Sequence, residues 1–333
     1  MTEIKGLSAS AIYTDPRRDK MNTNCSISSI PGVAALRGIS LEVPDLEAAA
    51  PFFAALGVTA TGDGTQCSVH TVAQADCMTL RPVSGRRRRL RRITFTAPPS
   101  EIGTIHTRAI EAGHMVIAAT PASLLMSGPN GIESEVVARD VPHVKAYDCQ
   151  ALIFPHAPCH SEIDTPRPQS LCHAAIFVSA MPEALDFYCR VLGLRVSDRC
   201  GGDLVFLHSR HGGDHHILAL VKSSGPGLHH YSFEMGTIDA IGLRAAHLAR
   251  QGYEAGWGMG RHALGSNFFH YVRDPWDCHV ELTAGLDQIA ADSDRAPGDH
   301  KAQDAFYLWG PPPPLDFIAN SEALPAGQPL VTA

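Results

Sequence analysis

The chain repeats itself, and this duplication constrains its fold more than any other feature. A first pass runs LRGISLEV, LEAAAPFFAALG, several short strands, RRITFTA, IGTIHTRAIEAG and IESEVVA. After residue 168 the order returns as LCHAAIFV, PEALDFYCRVLG, LRVSD, DLVFLHS, HHILALV, HHYSFEM, TIDAIGLRAAHLARQG, NFFHYVRD and CHVELTA. Short apolar runs bounded by turn residues predict strands, and apolar residues at helical spacing predict helices that Gly113 and Gly193 stop. Aligning the halves pairs LHHYSFEM with LRRITFTA, and DPWDCHVEL with GPNGIESEV. Each half therefore holds two βαβββ-like units, and each pair of units can curl a sheet around a central cavity.

The expected fold class is α+β, with two tandem modules at 32–147 and 169–286. Residues 1–31 read as a loose extension, within which Met21 is an alternative start. A Pro-rich linker occupies 148–168. The tail, 287–333, carries AFYLWGPPPPLDF, a semi-rigid segment expected to pack back on the core.

Composition narrows the function. A net charge of −7 leaves no basic face to dominate the chain, which argues against nucleic acid as a partner. No run of ~18 apolar residues offers a membrane span, and the N-terminus has no apolar signal segment. Nine cysteines without CxxC spacing fit reduced thiols in a cytoplasm better than a disulfide framework. The Arg-rich run from Gly85 to Arg92 is expected to be a solvated hairpin, and Trp257, Trp276 and Trp309 to serve packing.

Eighteen histidines are the unusual entry in the composition. His173 and His230 each begin a strand of the second half, and Glu281 lies in its last strand. Two neutral imidazoles and a carboxylate, with no thiolate, are the ligand set of a non-haem iron(II) facial triad, and manganese is chemically close behind. Two doublets, His215-His216 and His229-His230, open strands. Neighbouring side chains in a strand point to opposite faces, so one member of each doublet can look into a shared cavity. His216 and His230 are assigned that face, which leaves His215 and His229 outside it or behind the ligands. His262, in a glycine-flanked loop, and Tyr271, in FFHYVRDP, would add proton donors and acceptors around a bound diol. His279 shares the parity of Glu281 and is expected to lie outside the ligand set. In the first half Gly38 stands where His173 does and Arg92 where His230 does, with only Glu135 opposite Glu281. That half reads as scaffold.

In the order CHAAIFV, DHHILAL, LHHYSFEM, GRHALGSNFFHYVRDP and HVEL, residues 169–286 resemble the catalytic module of type I extradiol (catechol-cleaving) dioxygenases of the vicinal-oxygen-chelate superfamily. Strands over 34–144 resemble that family's non-catalytic first module. The resemblance implies His173, His230 and Glu281 as iron ligands, and His216 as the acid–base residue facing bound oxygen. It also implies that His262 and Tyr271 hydrogen-bond the catecholate or its ring-opened products. The reaction implied inserts both atoms of O2 into a catechol beside the diol, giving a hydroxymuconic-semialdehyde type product in aromatic catabolism. A homo-oligomer is the usual assembly of such families. Competing readings are a glyoxalase-like isomerase, a hydroxyphenylpyruvate-type or hydroquinone-cleaving dioxygenase, and a non-catalytic small-molecule-binding protein on the same fold. Glyoxalase-like enzymes typically split their ligands between modules, and binding proteins generally lose them.

Overall fold

In the computed structural model the described residues are 31–85, 87–140 and 165–324. The extension before residue 31, Arg86 and most of the expected linker lie outside them.

The first sheet is built from β1 (Ala35–Val43), β2 (Thr59–Gly62), β3 (Cys67–His70), β4 (Met78–Pro82), β5 (Arg89–Ala97), β6 (Val116–Thr120), β7 (Ser123–Ser127) and β8 (Glu133–Ala138). Its order is β2-β3-β4-β1-β5-β8-β7-β6. The second contains β9 (Ser170–Val178), β10 (Arg195–Cys200), β11 (Leu204–His208), β13 (Leu218–Lys222), β14 (Gly227–Glu234), β15 (Gly256–Arg261), β16 (Phe268–Arg273) and β17 (His279–Ala284). The order β15-β16-β17-β14-β9-β13-β11-β10 mirrors the first sheet, and β19 (Gly298–Asp299) of the tail extends its edge. In both sheets an antiparallel pair lies at the centre, β1 with β5 and β9 with β14. Each member of the pair has a parallel partner on its outer side: β4, β8, β13 and β17. The βαβββ duplication expected from the sequence is thus the architecture of the fold. A two-residue pair, β12 (Gly213–Asp214) with β18 (Gln288–Ile289), also ties the tail down.

Helices α1 (Ala49–Leu56), α2 (Ile102–Glu111) and α4 (Ile238–Arg250) cover the sheets. In α4 the Thr237 hydroxyl accepts from the Ala240 amide at 3.1 Å, and Asp239 and Arg250 complement the dipole at its two ends. Its inward stripe is Ile241, Arg244 and Leu248. Among the described residues no helix is long and apolar enough to cross a membrane. The segment expected to be one amphipathic helix after Ala180 is a single α-helical turn, α3 (Met181–Leu185), followed by a wider π-helical stretch over Asp186–Val191. The widening keeps Phe187, Tyr188 and Val191 buried.

One apolar core runs through both modules, with Phe52, Phe53, Phe95, Phe187 and Tyr188 among its fully buried rings. The buried Arg244 guanidinium crosses between them and donates to the carbonyl oxygens of Ala55, at 2.9 Å, and Pro166, at 2.7 Å. Burial, with Arg167 nearby, lowers its pKa to about 10. Arg88 departs from the expected solvated hairpin. It is 3% exposed, donates to the Leu228 carbonyl at 2.8 Å and to the Ser321 hydroxyl at 2.8 Å, and faces Glu322 at 3.6 Å. Part of the arginine run is therefore an internal latch joining the first module, β14 and the tail.

Candidate metal centre and the cavity around it

The centre of the second sheet places β17, β14 and β9 side by side. Ser232 on β14 pairs across the ladders with both Glu281 and His173, and His230 lies two residues earlier on the same face. The ligand atoms of His173, His230 and Glu281 lie within 4.8 Å of one another. His173 Nε2 is 2.8 Å and His230 Nε2 is 3.7 Å from Glu281 Oε2. Burial pushes the His230 imidazole well below its usual pKa, so it is a neutral lone-pair donor. Burial works against the Glu281 charge, but the nearby imidazoles of His173 and His262 outweigh it and hold the carboxyl well below its usual pKa.

His230 Nε2 is buried and has no hydrogen-bond partner among the described residues, and with His173 and Glu281 it forms a group of three ligand atoms that could hold a cation. The site fits a divalent metal of the facial-triad type. On the other side of the ring, His230 Nδ1 is 2.8 Å from His229 Nδ1, the kind of outer contact that orients a ligating imidazole.

His229 departs from strict strand alternation. A bulge in β14 between Leu228 and His230 turns both histidines toward the cavity, so His229 lines it as well. The other doublet is organised differently. Asp198, whose burial opposes its charge, is nonetheless held below the usual carboxylate range by His215, Arg295, the Gly298 amide and His300. An ionised carboxylate only accepts, so His215 Nε2 donates to Asp198 at 2.8 Å, leaving Nδ1 to accept from His216 Nδ1 at 3.2 Å. That chain fixes the tautomer of His216 and leaves its Nε2 with a free lone pair. Burial keeps His216 well below its usual pKa, and its ring centre lies 4.4 Å from that of His173.

His262 and Tyr271 meet on the far side of Glu281. His262 Nδ1 is 2.7 Å from the Phe306 carbonyl oxygen and must donate to it, so Nε2 accepts from the Tyr271 hydroxyl at 3.1 Å. Burial, and then Glu281, push the Tyr271 phenol well above its usual pKa. Trp257 stacks on Tyr271 with centres 5.5 Å apart and planes at 14°. All six residues singled out from the sequence line a single cavity of about 920 Å³.

Two contributors carried no sequence signal. Asn267 donates to Glu281 Oε1 at 3.1 Å and to Thr283 at 2.7 Å, fixing the ligand carboxylate. Phe317 of the tail roofs the site, with ring centres 4.9 Å from His229 and 5.1 Å from Tyr271. An Asn before a strand and a Phe after a proline run are too common to be singled out. His279 is buried, and neither of its ring nitrogens has a hydrogen-bond partner among the described residues.

The corresponding place in the first module cannot hold the same centre. A Cβ on Gly38 would come within 2.8 Å of the Cys77 carbonyl oxygen, so no imidazole fits there. The Arg92 guanidinium supplies the cation instead, 3.0 Å from Glu133 and 3.4 Å from Glu135.

Residues 170–282 match the Glyoxalase/Bleomycin resistance protein/Dioxygenase superfamily. Metapyrocatechase 2 of Cupriavidus necator is 34% identical over 297 residues, covering 85% of this chain and 91% of that protein. The chain belongs to the extradiol catechol dioxygenases of this superfamily. Solved structures of similar fold include a Mn(II)-bound glyoxalase from Novosphingobium aromaticivorans (22% identity, TM-score 0.69, 85% of this chain and 93% of that one). Homoprotocatechuate 2,3-dioxygenase from Brevibacterium fuscum is another (18% identity, TM-score 0.70, 87% and 82%).

Proposed function

We propose that the protein cleaves a catechol beside its diol at a centre of iron(II) held by His173, His230 and Glu281. When bound there, the metal supplies Lewis acidity to the diol oxygens and open positions for substrate and O2. Manganese would suit the same donors. The observation that carries the assignment is the orphaned, neutral His230 Nε2 facing a buried carboxylate and a second imidazole.

The remaining roles follow from hydrogen-bond capacity. His216, with Nε2 unprotonated, takes and returns the proton that must move as the diol ionises and the ring opens. Tyr271 and His262 hold the substrate oxygens, the Tyr271 phenol as donor and His262 Nε2 as acceptor. Asn267 keeps the Glu281 carboxylate in orientation, and Phe317 with Trp257 excludes water from the ring. The protein's contribution is mainly to position reactants and to place proton carriers within reach. With every ligand in the second module, a glyoxalase-like arrangement split between modules loses its support. The six described cysteines are all free, which supports a reducing, cytoplasmic setting. Exposed Ile110, Met115 and Ile117, close in sequence around the edge strand β6, support assembly into a homo-oligomer.

Anaerobic equilibrium dialysis against iron(II) tests the centre. One iron per chain is expected for the native protein, and a large loss of binding for His230→Ala. Native-like binding by that variant would overturn the assignment.

A further inference from the structure

The cavity extends well past the metal ligands, and its walls indicate what it takes. Across the sheet His230 pairs with Ala175, Ala175 with Ala219, and Ala219 with Phe206, so all four side chains share the ligand face. Two residues further along, Val221 and Leu204 form the next row. From His173 to the level of Val221, opposite Phe177, is four residues, or about 13 Å at ~3.3 Å per residue.

Nearest the ligands the path is bordered by Ala175 and Ala219, and Phe206 follows them in the same row. A cavity of ~150 Å³ suffices for benzene, and this one measures about 920 Å³. Apart from Glu281 at the ligand set, its charged groups lie away from the metal ligands. Asp203 and Lys222 face each other there at 3.6 Å, and His300 and Lys301 come from the tail. Among the described residues no arginine lines the cavity, and Lys222 is already paired with Asp203, so the planar fork that grips a carboxylate bidentately is missing along the apolar row.

We infer that the preferred substrate is a catechol carrying a second ring, or an apolar substituent of similar bulk, and no carboxylate. The substituent lies along Ala175, Ala219, Phe206, Leu204 and Val221. Ala175 and Ala219 are the size-determining positions. This inference rests on the extradiol reading for its reaction, but not for its geometry.

The test uses the iron(II)-loaded protein under anaerobic conditions, with binding of catechol, 3-phenylcatechol and 3,4-dihydroxyphenylacetate followed by calorimetry. A single methylene in an apolar pocket discriminates by about tenfold or more, so 3-phenylcatechol should bind at least tenfold more tightly than catechol. The carboxylated compound should gain nothing over catechol. Ala219→Leu should cut the preference for 3-phenylcatechol over catechol by tenfold or more. Ala175→Val provides an independent second variant. Equal binding of the first two compounds, tightest binding of the carboxylated one, or a preference untouched by both variants overturns the inference. The predicted binding order supports it whether or not oxygen is consumed on admitting air. Absence of oxygen uptake with every compound counts against the proposed reaction alone.

Discussion

Asp198 Oδ2 lies 2.8 Å from His215 Nε2, and through that contact the C-terminal tail reaches the His216 imidazole. Arg295 and the Gly298 amide, both from the tail, hold the same carboxylate at 2.6 and 2.7 Å. The tail thereby sets the tautomer of a residue more than seventy positions earlier, at the opposite end of a hydrogen-bonded chain.

Removing His216 removes the proposed proton carrier, and His216→Ala should lower kcat by about 10²–10⁴. Asp198→Asn keeps the shape but can donate where the carboxylate only accepted. It should lower kcat by about tenfold or more, move the pH profile of kcat, and change KM less. Steady-state oxygen uptake across pH checks both. An Asp198→Asn enzyme with native kcat and native pH profile would limit the contact to a structural role.

Glu281 is the only acidic member of the ligand set. Glu281→Gln removes its charge while leaving an oxygen for Asn267 to bond. Disturbing the shell around a metal ligand already costs about 10–100-fold in affinity or activity, and losing the ligand charge should cost at least that in iron(II) affinity. Anaerobic dialysis reads the result directly, and unaltered affinity would contradict the ligand assignment.

The latch between Arg88 and Glu322 makes a separate prediction about stability. Glu322 accepts from the Leu90 and Leu228 amides, each at 2.9 Å. Burial raises the Glu322 pKa despite the Arg88 charge. Taking one partner away leaves the other buried and uncompensated. Arg88→Met should therefore cost about 3–5 kcal/mol in urea unfolding, and adding Glu322→Gln should cost less than the sum of the two single changes. Additive losses would show that the two groups do not act as a pair.

His208 supplies a pH test away from the metal. Burial, with Arg195 adding to it, lowers this imidazole to about 4, and its Nδ1 bonds the Ser197 hydroxyl at 2.8 Å. The folded value lies below the unfolded one of ~6.5, so the unfolded chain takes up the proton first. The resulting stability is fully present above pH ~6.5 and is lost as pH falls toward 4. Between pH 7 and 4.5 this group should account for about 2–3 kcal/mol of lost stability. In His208→Gln, which cannot titrate, the difference between urea unfolding at these two pH values should shrink by that amount. An unchanged difference would mean that His208 is already accessible to protons in the folded protein.

Sequence and structure agree where period and chemistry act together. The duplication, the convergence of His173, His230 and Glu281, and the lack of matching side chains at Gly38 and Arg92 could all be read from strand order and residue type. The structure adds a steric cause for that loss, since Gly38 faces the Cys77 carbonyl. What could not be read depends on contacts between distant residues or on local breaks in regularity. Alternation put His229 outside the cavity or behind the ligands; it stands behind His230, and a bulge that adds one residue to β14 also brings it to the cavity wall. Charge density placed Arg88 in solvent, whereas Glu322, 234 positions later in sequence, brings it inside. Asn267 and Phe317 belong to the site only because the chain returns there.

The most direct measurement of the central claim is aerobic turnover by the iron(II)-loaded protein, with oxygen uptake and the yellow ring-opened product recorded together. One O2 consumed per catechol cleaved, with both signals absent in His230→Ala, is the predicted result. Iron(II) bound at the triad with neither oxygen uptake nor product from any catechol offered would contradict it.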